Sequence, residues 1–269
     1  MIARISRGTN MDQIYLPKNR HSFPVGCHVL VKPLDTSSRA STVMKPVLYG
    51  IKYVEPVKMS VVESVFECVE KHVGVYENIL IAGSFVERGF HFHDVDILLL
   101  TEEKVDELAL QRSVERVTGI KTHLIVLTVK TLVQGLSTDP LYQCMTSMCI
   151  ARKRFLYKTK KRVLYKMLDL HLLKSDLMLE HFDALSGDEK YDLTRNMIAI
   201  HLFLREKRVN SDMVHAEIQK VFALREISEI RENLLEKKIF LKQYKKIYTD
   251  TFNKLMEGVR HDSKQKQAS

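Results

Sequence analysis

Residues 79–101 read ILIAGSFVERGFHFHDVDILLLT, and the fold turns on how they are read. An apolar run at 79–82 ends at Gly83-Ser84, a mixed stretch follows, and Asp94-Val95-Asp96 leads into a second apolar run at 97–100. Such short apolar runs bounded by turn residues are strands. Side chains alternate across a strand, so Asp94 and Asp96, two positions apart, share one face. Gly83 permits a tight turn. Ser84 then offers a hydroxyl and a backbone N–H where a helix is expected to start, a natural seat for phosphate. Beside it, two hard carboxylates form a candidate Mg²⁺ site, with a triphosphate supplying further oxygens.

Outward from this stretch, strands and helices alternate. Residues 57–73 form an amphipathic pattern, with Val61, Val62, Val65, Phe66, Val69 and Val73 near helical spacing. A second helix is expected at 102–117, a third strand at 121–128 and a short helix at 129–136. Asp139-Pro140 restarts a helix toward 151, and 155–157 reads as a last short strand. On the N-terminal side, 48–54 reads as a strand, 34–45 as a polar loop and 13–33 as β, with a turn or bulge at 23–26. Residues 1–10 read as a frayed tail.

From residue 160 the period is helical and proline is absent. Helices are expected at 160–184, 188–206, 211–234 and 237–258. The organisation read from the chain is an N-terminal β-rich segment (1–56), an α/β core (57–158), an all-helical domain (159–258) and a disordered tail (259–269).

Gly83-Ser84, a short spacer, then Asp94-x-Asp96 entering an apolar strand resembles the signature of the polymerase-beta-like nucleotidyltransferase superfamily. The resemblance covers residues 75–130. It implies an α+β core, a mixed sheet with flanking helices, that moves a nucleoside monophosphate from an NTP to an acceptor hydroxyl on RNA or protein. It further implies that Asp94 and Asp96 hold Mg²⁺ and that Gly83 and Ser84 hold the nucleotide's terminal phosphates. The family usually adds a third carboxylate from the next strand. Here the strand at 121–128 carries no acid, and His123 stands at that position. An imidazole can accept a proton but suits Mg²⁺ poorly, because that ion prefers oxygen. Glu102, Glu103, Asp106 and Asp139 are the candidate substitutes. A catalytically silent nucleotide- or RNA-binding protein is therefore the alternative, and a chance Asp-x-Asp beside an ordinary turn the plainest reading.

Composition frames these expectations. The 269 residues are 45% hydrophobic and 28% charged, enough for a packed core. No run of about 20 apolar residues would span a bilayer, and the first residues lack the apolar core of a signal peptide. Cys27, Cys68, Cys144 and Cys149 show no CxxC spacing, which fits reduced thiols in a cytoplasmic protein. The net charge is +9, and residues 151–269 hold 26 Lys+Arg against 17 Asp+Glu, so the excess lies there. That imbalance suggests a polyanion such as RNA, or simply a solvated helical surface.

The densest basic run is Arg152, Lys153, Arg154, Lys158, Lys160, Lys161 and Arg162, interleaved with Phe155 and Tyr157. It is suited to a phosphate backbone and a stacked base, and equally to a solvated helix start. His91 and His93, with the two acids, resemble a transition-metal cluster, although alternation along a strand turns both away from Asp94 and Asp96. Finally, Arg195-Asn196 followed by His201 is similar to the Arg-polar-x₄-His pattern of HEPN helical domains, some of which cleave RNA. Pairing of Arg195 with an acid is the simpler reading.

Overall fold

The structure is a computed structural model that describes residues 45–157 and 159–267, with two short strands before them at 5–6 and 13–14. Side chains are described for residues 45–157 and 159–260. The chain divides into two compact units. The sheet unit takes the chain to Val126 and adds Ile150–Lys153; the helical unit takes Leu127–Cys149 and everything from Arg154.

The sheet unit holds β1 (Ile5–Ser6) and β2 (Gln13–Ile14), an antiparallel pair, so residues 5–6 form a strand and not a frayed end. The other expectations for residues 1–44 lie outside the described residues. The main sheet comprises β3 (Val47–Tyr49), β4 (Asn78–Ala82), β5 (Asp94–Leu100), β6 (Lys121–Leu127) and β7 (Cys149–Ala151), in the order β3-β7-β4-β5-β6. It is mixed, with flanking helices, as an α/β unit requires. β4 runs antiparallel to both β5 and β7.

All five residues of β4 are buried, which means that both faces of the sheet are covered there. β5 is covered from Ile97 to Leu100, but at its start only Val95 is buried, and Asp94 and Asp96 are half-buried. One face of the sheet is therefore open at the beginning of β5 and at Lys121 and His123 of the neighbouring β6. Helices α1 (Pro56–His72) and α2 (Glu107–Thr118) pack against each other. α1 starts at a proline, which suits a first helical position. Asp106 caps α2, and Gly119, at φ 69°, ends it.

The helical unit contains α3 (Val129–Thr138), α4 (Pro140–Ser147), α5 (Tyr165–Lys174), α6 (Leu177–Glu180), α7 (Gly187–Leu204), α8 (Ser211–Phe222), α9 (Ser228–Arg231) and α10 (Lys237–Gln267). Its core gathers Leu168, Leu172, Ile198, Phe203, Phe222 and Tyr244. α7 opens with a full capping box between Ser186 and Glu189.

Several boundaries move from their expected places. α3 and α4 group with the helices and not with the core. The helix begun at Pro140 stops at Ser147, because Cys149–Ala151 is taken up as a strand beside β4. Residues 155–157 form no strand; the rings of Phe155 and Tyr157 stack 5.7 Å apart instead. The stretch 160–184 is broken at Ser175, and 211–234 at Ala223, which is left-handed at φ 54°. α10 continues past the expected end at 258 to Gln267, where a disordered tail had been expected. Among the described residues, no helix is long and apolar enough to cross a membrane.

Candidate functional site

β4 delivers the chain to Ala82, which pairs with Asp96 in the ladder. Gly83 follows at φ 76°, ψ −162°, backbone space open essentially to glycine alone. A Cβ at Gly83 would overlap the Asp96 carboxylate. Glycine is thus needed both for the turn and for the close approach. Ser84 then opens a single 3₁₀ turn, Ser84–Val86, and not the longer helix that its position had suggested. The chain breaks off because Phe85 and Val86 must bury themselves in the unit's interior. One turn carries little macrodipole, so any phosphate held here would rely on the hydroxyl and nearby N–H groups.

The spacer that returns the chain to Asp94 is held by a residue that no motif or periodicity singles out. Lys58 lies on α1 and is 0% exposed. Its ammonium donates to the carbonyl oxygen of Glu87 and lies 3.3 Å from Glu55 Oε2. It also sits within 5.7 Å of the ring centroids of Phe85, Phe90 and Phe92. Glu55 in turn accepts a 2.7 Å hydrogen bond from the Gly89 amide. Burial lowers the Lys58 pKa, against the pull of Glu55. Burial also tends to raise the Glu55 carboxyl, but the Gly89 hydrogen bond and Lys58 leave it below its usual value. Two points of the spacer, Glu87 and Gly89, are therefore tied to the start of α1.

At the open face, His123 on β6 reaches Asp96: Nδ1 lies 3.2 Å from Oδ1. The His123 side chain is 63% exposed and that of Asp96 35%. An exposed pair of this kind adds little stability, so its interest is chemical. Gly83, Asp96 and His123 are thus brought together, with Ser84 next in chain to Gly83 and Asp94 on the Asp96 face of β5. The donors suit Mg²⁺ in the manner of a site completed by substrate phosphates, with one or two carboxylates from protein. They do not make a closed protein cage: among the described residues no three His, Cys, Asp or Glu side chains converge as a metal cluster. His91 and His93 are exposed in the spacer and form no such cluster.

The candidate third acids of the sheet unit all follow the far end of β5. Glu102 follows the far end of β5, about 20 Å along the strand from Asp96 at ~3.3 Å per residue. Glu103 lies beside Gly74, and Asp106 is occupied capping α2. Asp139, in the helical unit, caps α4 and meets His171 Nε2 at 3.2 Å.

The basic run is divided between the two units. Arg152 and Lys153 belong to the sheet unit, and the rest to the helical unit. Arg152 pairs with Glu70 at 2.7 Å; Lys153 donates to the carbonyl oxygen of Tyr76 at 3.0 Å and covers that ring. Lys161 donates to the carbonyl oxygen of Phe203 and lies over its ring. Arg154, Lys160 and Arg162 are exposed, and Lys158 lies outside the described residues.

Arg195 pairs with Asp192 at 3.1 Å, as the simpler reading had it. His201 is 5% exposed and hydrogen-bonded to Thr251, so it cannot reach a phosphodiester as the HEPN pattern demands. Burial raises the thiols of Cys144 to about 11 and Cys149 to about 12, which leaves them inert as nucleophiles near neutral pH. Comparison with known proteins finds no matching family model, no matching curated protein and no matching solved structure.

Proposed function

We propose that the chain is a nucleotidyltransferase-like protein of the polymerase-beta type, binding a nucleoside triphosphate with Mg²⁺ against Ser84, Asp94 and Asp96. The observation that carries this reading is the packing of Gly83 against the Asp96 carboxylate, beside the Ala82–Asp96 ladder pair. A metal–triphosphate site needs that arrangement: hydroxyl and N–H donors for terminal phosphates next to carboxylates for the cation. Mg²⁺, when bound, supplies charge neutralisation and a lower pKa for the attacking hydroxyl. Asp94 and Asp96 would hold that ion, and Ser84 would hold the terminal phosphates. His123, oriented by Asp96, accepts the proton of the acceptor hydroxyl. The acceptor oxygen bonds to the α-phosphorus, the α–β bridge breaks, and pyrophosphate leaves. The acceptor is a hydroxyl of RNA or protein.

A second reading, nucleotide binding without transfer, is favoured by one specific feature: His123 stands where a third carboxylate would complete the ligand set. The test is a calorimetric titration of each NTP with and without Mg²⁺, joined to a transfer assay with labelled NTP. Mg²⁺-dependent binding that is lost in Asp94→Asn/Asp96→Asn supports a nucleotide site. Transfer then selects the first reading, and binding alone the second. An NTP that does not bind, or that binds the double variant equally, removes both. His123→Asp is expected to strengthen Mg²⁺ binding about tenfold or more and to raise any transfer, because it adds a hard anionic ligand.

A further inference from the structure

The outward face of α10 carries charge that the fold leaves unused. The helix buries Phe240, Tyr244, Thr251 and Leu255 in the helical unit. Its other side exposes Lys238, Lys242, Lys245 and Lys246, followed by Thr249 and Asn253. At 100° per residue all six fall within an arc of about 100°. None of the four lysines forms an ion pair among the described residues. Their neighbour Lys237, by contrast, pairs with Asp183. The acid nearest the strip, Asp250, is already neutralised by Arg205 at 2.7 Å.

Lys238, Lys242 and Lys246 follow one another at intervals of four residues, about 6 Å along the axis. Neighbouring phosphates of an extended strand are separated by a similar distance. Phe252, 39% exposed, borders the strip on the Lys245 side and offers a ring face. A membrane-lying helix would instead need a broad exposed apolar face opposite its cations; here that opposite face is buried in the core.

We propose that this face of α10 binds a single-stranded polynucleotide, with the lysines tracking phosphates and Phe252 stacking on a base. The site lies wholly in the helical unit and does not depend on the nucleotide site. The experiment uses the full chain and fluorescence anisotropy of labelled oligo(U) and oligo(dT) over a salt series. The variant Lys242→Gln/Lys245→Gln/Lys246→Gln removes three cations from an exposed face, and unchanged circular dichroism and Tm verify its fold. For both oligonucleotides, log Kd against log salt is expected to lose a slope of about 2, at ~0.7 per phosphate contact. Phe252→Leu is expected to weaken binding at constant slope.

A stronger affinity for oligo(U) identifies RNA as the form preferred, and equal affinities a site that reads only the shared strand chemistry. An unchanged slope in the triple-lysine variant overturns the proposal, as does a wild type that binds neither oligonucleotide. Loss of the slope in Arg154→Gln/Lys160→Gln/Arg162→Gln alone also overturns it. Lysine-dependent binding to phosphatidylserine vesicles without binding to oligonucleotide would make the face a membrane surface instead. Unchanged affinity in Phe252→Leu would remove the single-strand assignment.

Discussion

Lys58 and Lys245 are the same side chain put to opposite uses. Lys58 sits in the sheet unit with no exposed surface, and its charge is answered by Glu55, the Glu87 carbonyl and three rings. Lys245 stands on α10 in open solvent, with no ion pair among the described residues. The difference lies in what each lysine must hold. The sheet unit has to return its chain from Gly83 to Asp94 in a fixed path, and a buried cation with several directed partners fixes it. α10 needs only its apolar face to stay packed, so its cations remain available to something outside the fold.

The largest expected effect is on the buried side of this comparison. Lys58→Met leaves the Glu87 carbonyl without its donor and Glu55 with only the Gly89 amide, and removing one member of a buried pair costs about 3–5 kcal/mol. Urea unfolding should show this loss, and Glu55→Gln/Lys58→Met should recover part of it. A Lys58→Met protein as stable as the wild type would mean that the clamp is ornamental. Next in size is Gly83→Ala. The strained backbone alone costs about 1–3 kcal/mol, and the new Cβ must displace the Asp96 carboxylate. Mg²⁺-dependent nucleotide binding should fall with it in calorimetry; a variant that binds nucleotide as the wild type does would separate Gly83 from the site.

A smaller effect concerns His201 in the helical unit. Burial, then the nearby Arg205, lower its pKa below the ordinary 6.5. The unfolded chain therefore binds this proton more readily. The stability held by the neutral, buried ring is present above about pH 6.5 and is lost as pH falls through the folded value. Thermal melts between pH 7.5 and 4.5 should show a gap between wild type and His201→Asn that closes on acidification; a gap constant with pH would contradict the shift. The smallest effect is Lys245→Gln, which should change stability by less than about 0.5 kcal/mol. A larger loss in denaturant titration would show that the exposed strip is structural after all.

How far the chain could be read varied with how local the cause was. β4 and β5, the shared face of Asp94 and Asp96, and the turn at Gly83 follow from alternation and from glycine's freedom, both properties of a few neighbouring residues. α1 was legible from its valine spacing alone. His123 was legible only through the expectation that its strand lies beside β5, as it does in the sheet order. Cys149–Ala151 was not, because Met148-Cys149-Ile150 reads as helix until β4 is present to pair with it. The basic run at 152–162 suggested a phosphate-backbone site or a solvated helix start because charge is visible in a sequence, whereas Glu70, Tyr76 and Phe203, which take up three of its cations, come from far along the chain.

By itself, then, the sequence determined an α/β unit with paired carboxylates at one strand's entrance, and a basic helical region after it. Tertiary structure alone decided which charges stay free. It buried Lys58, paired Arg152 with Glu70, tied Lys153 and Lys161 to backbone carbonyls and rings, and left the strip on α10 without ion pairs among the described residues. Which charges are buried or paired depends on partners distant in sequence, and local periodicity does not name those partners.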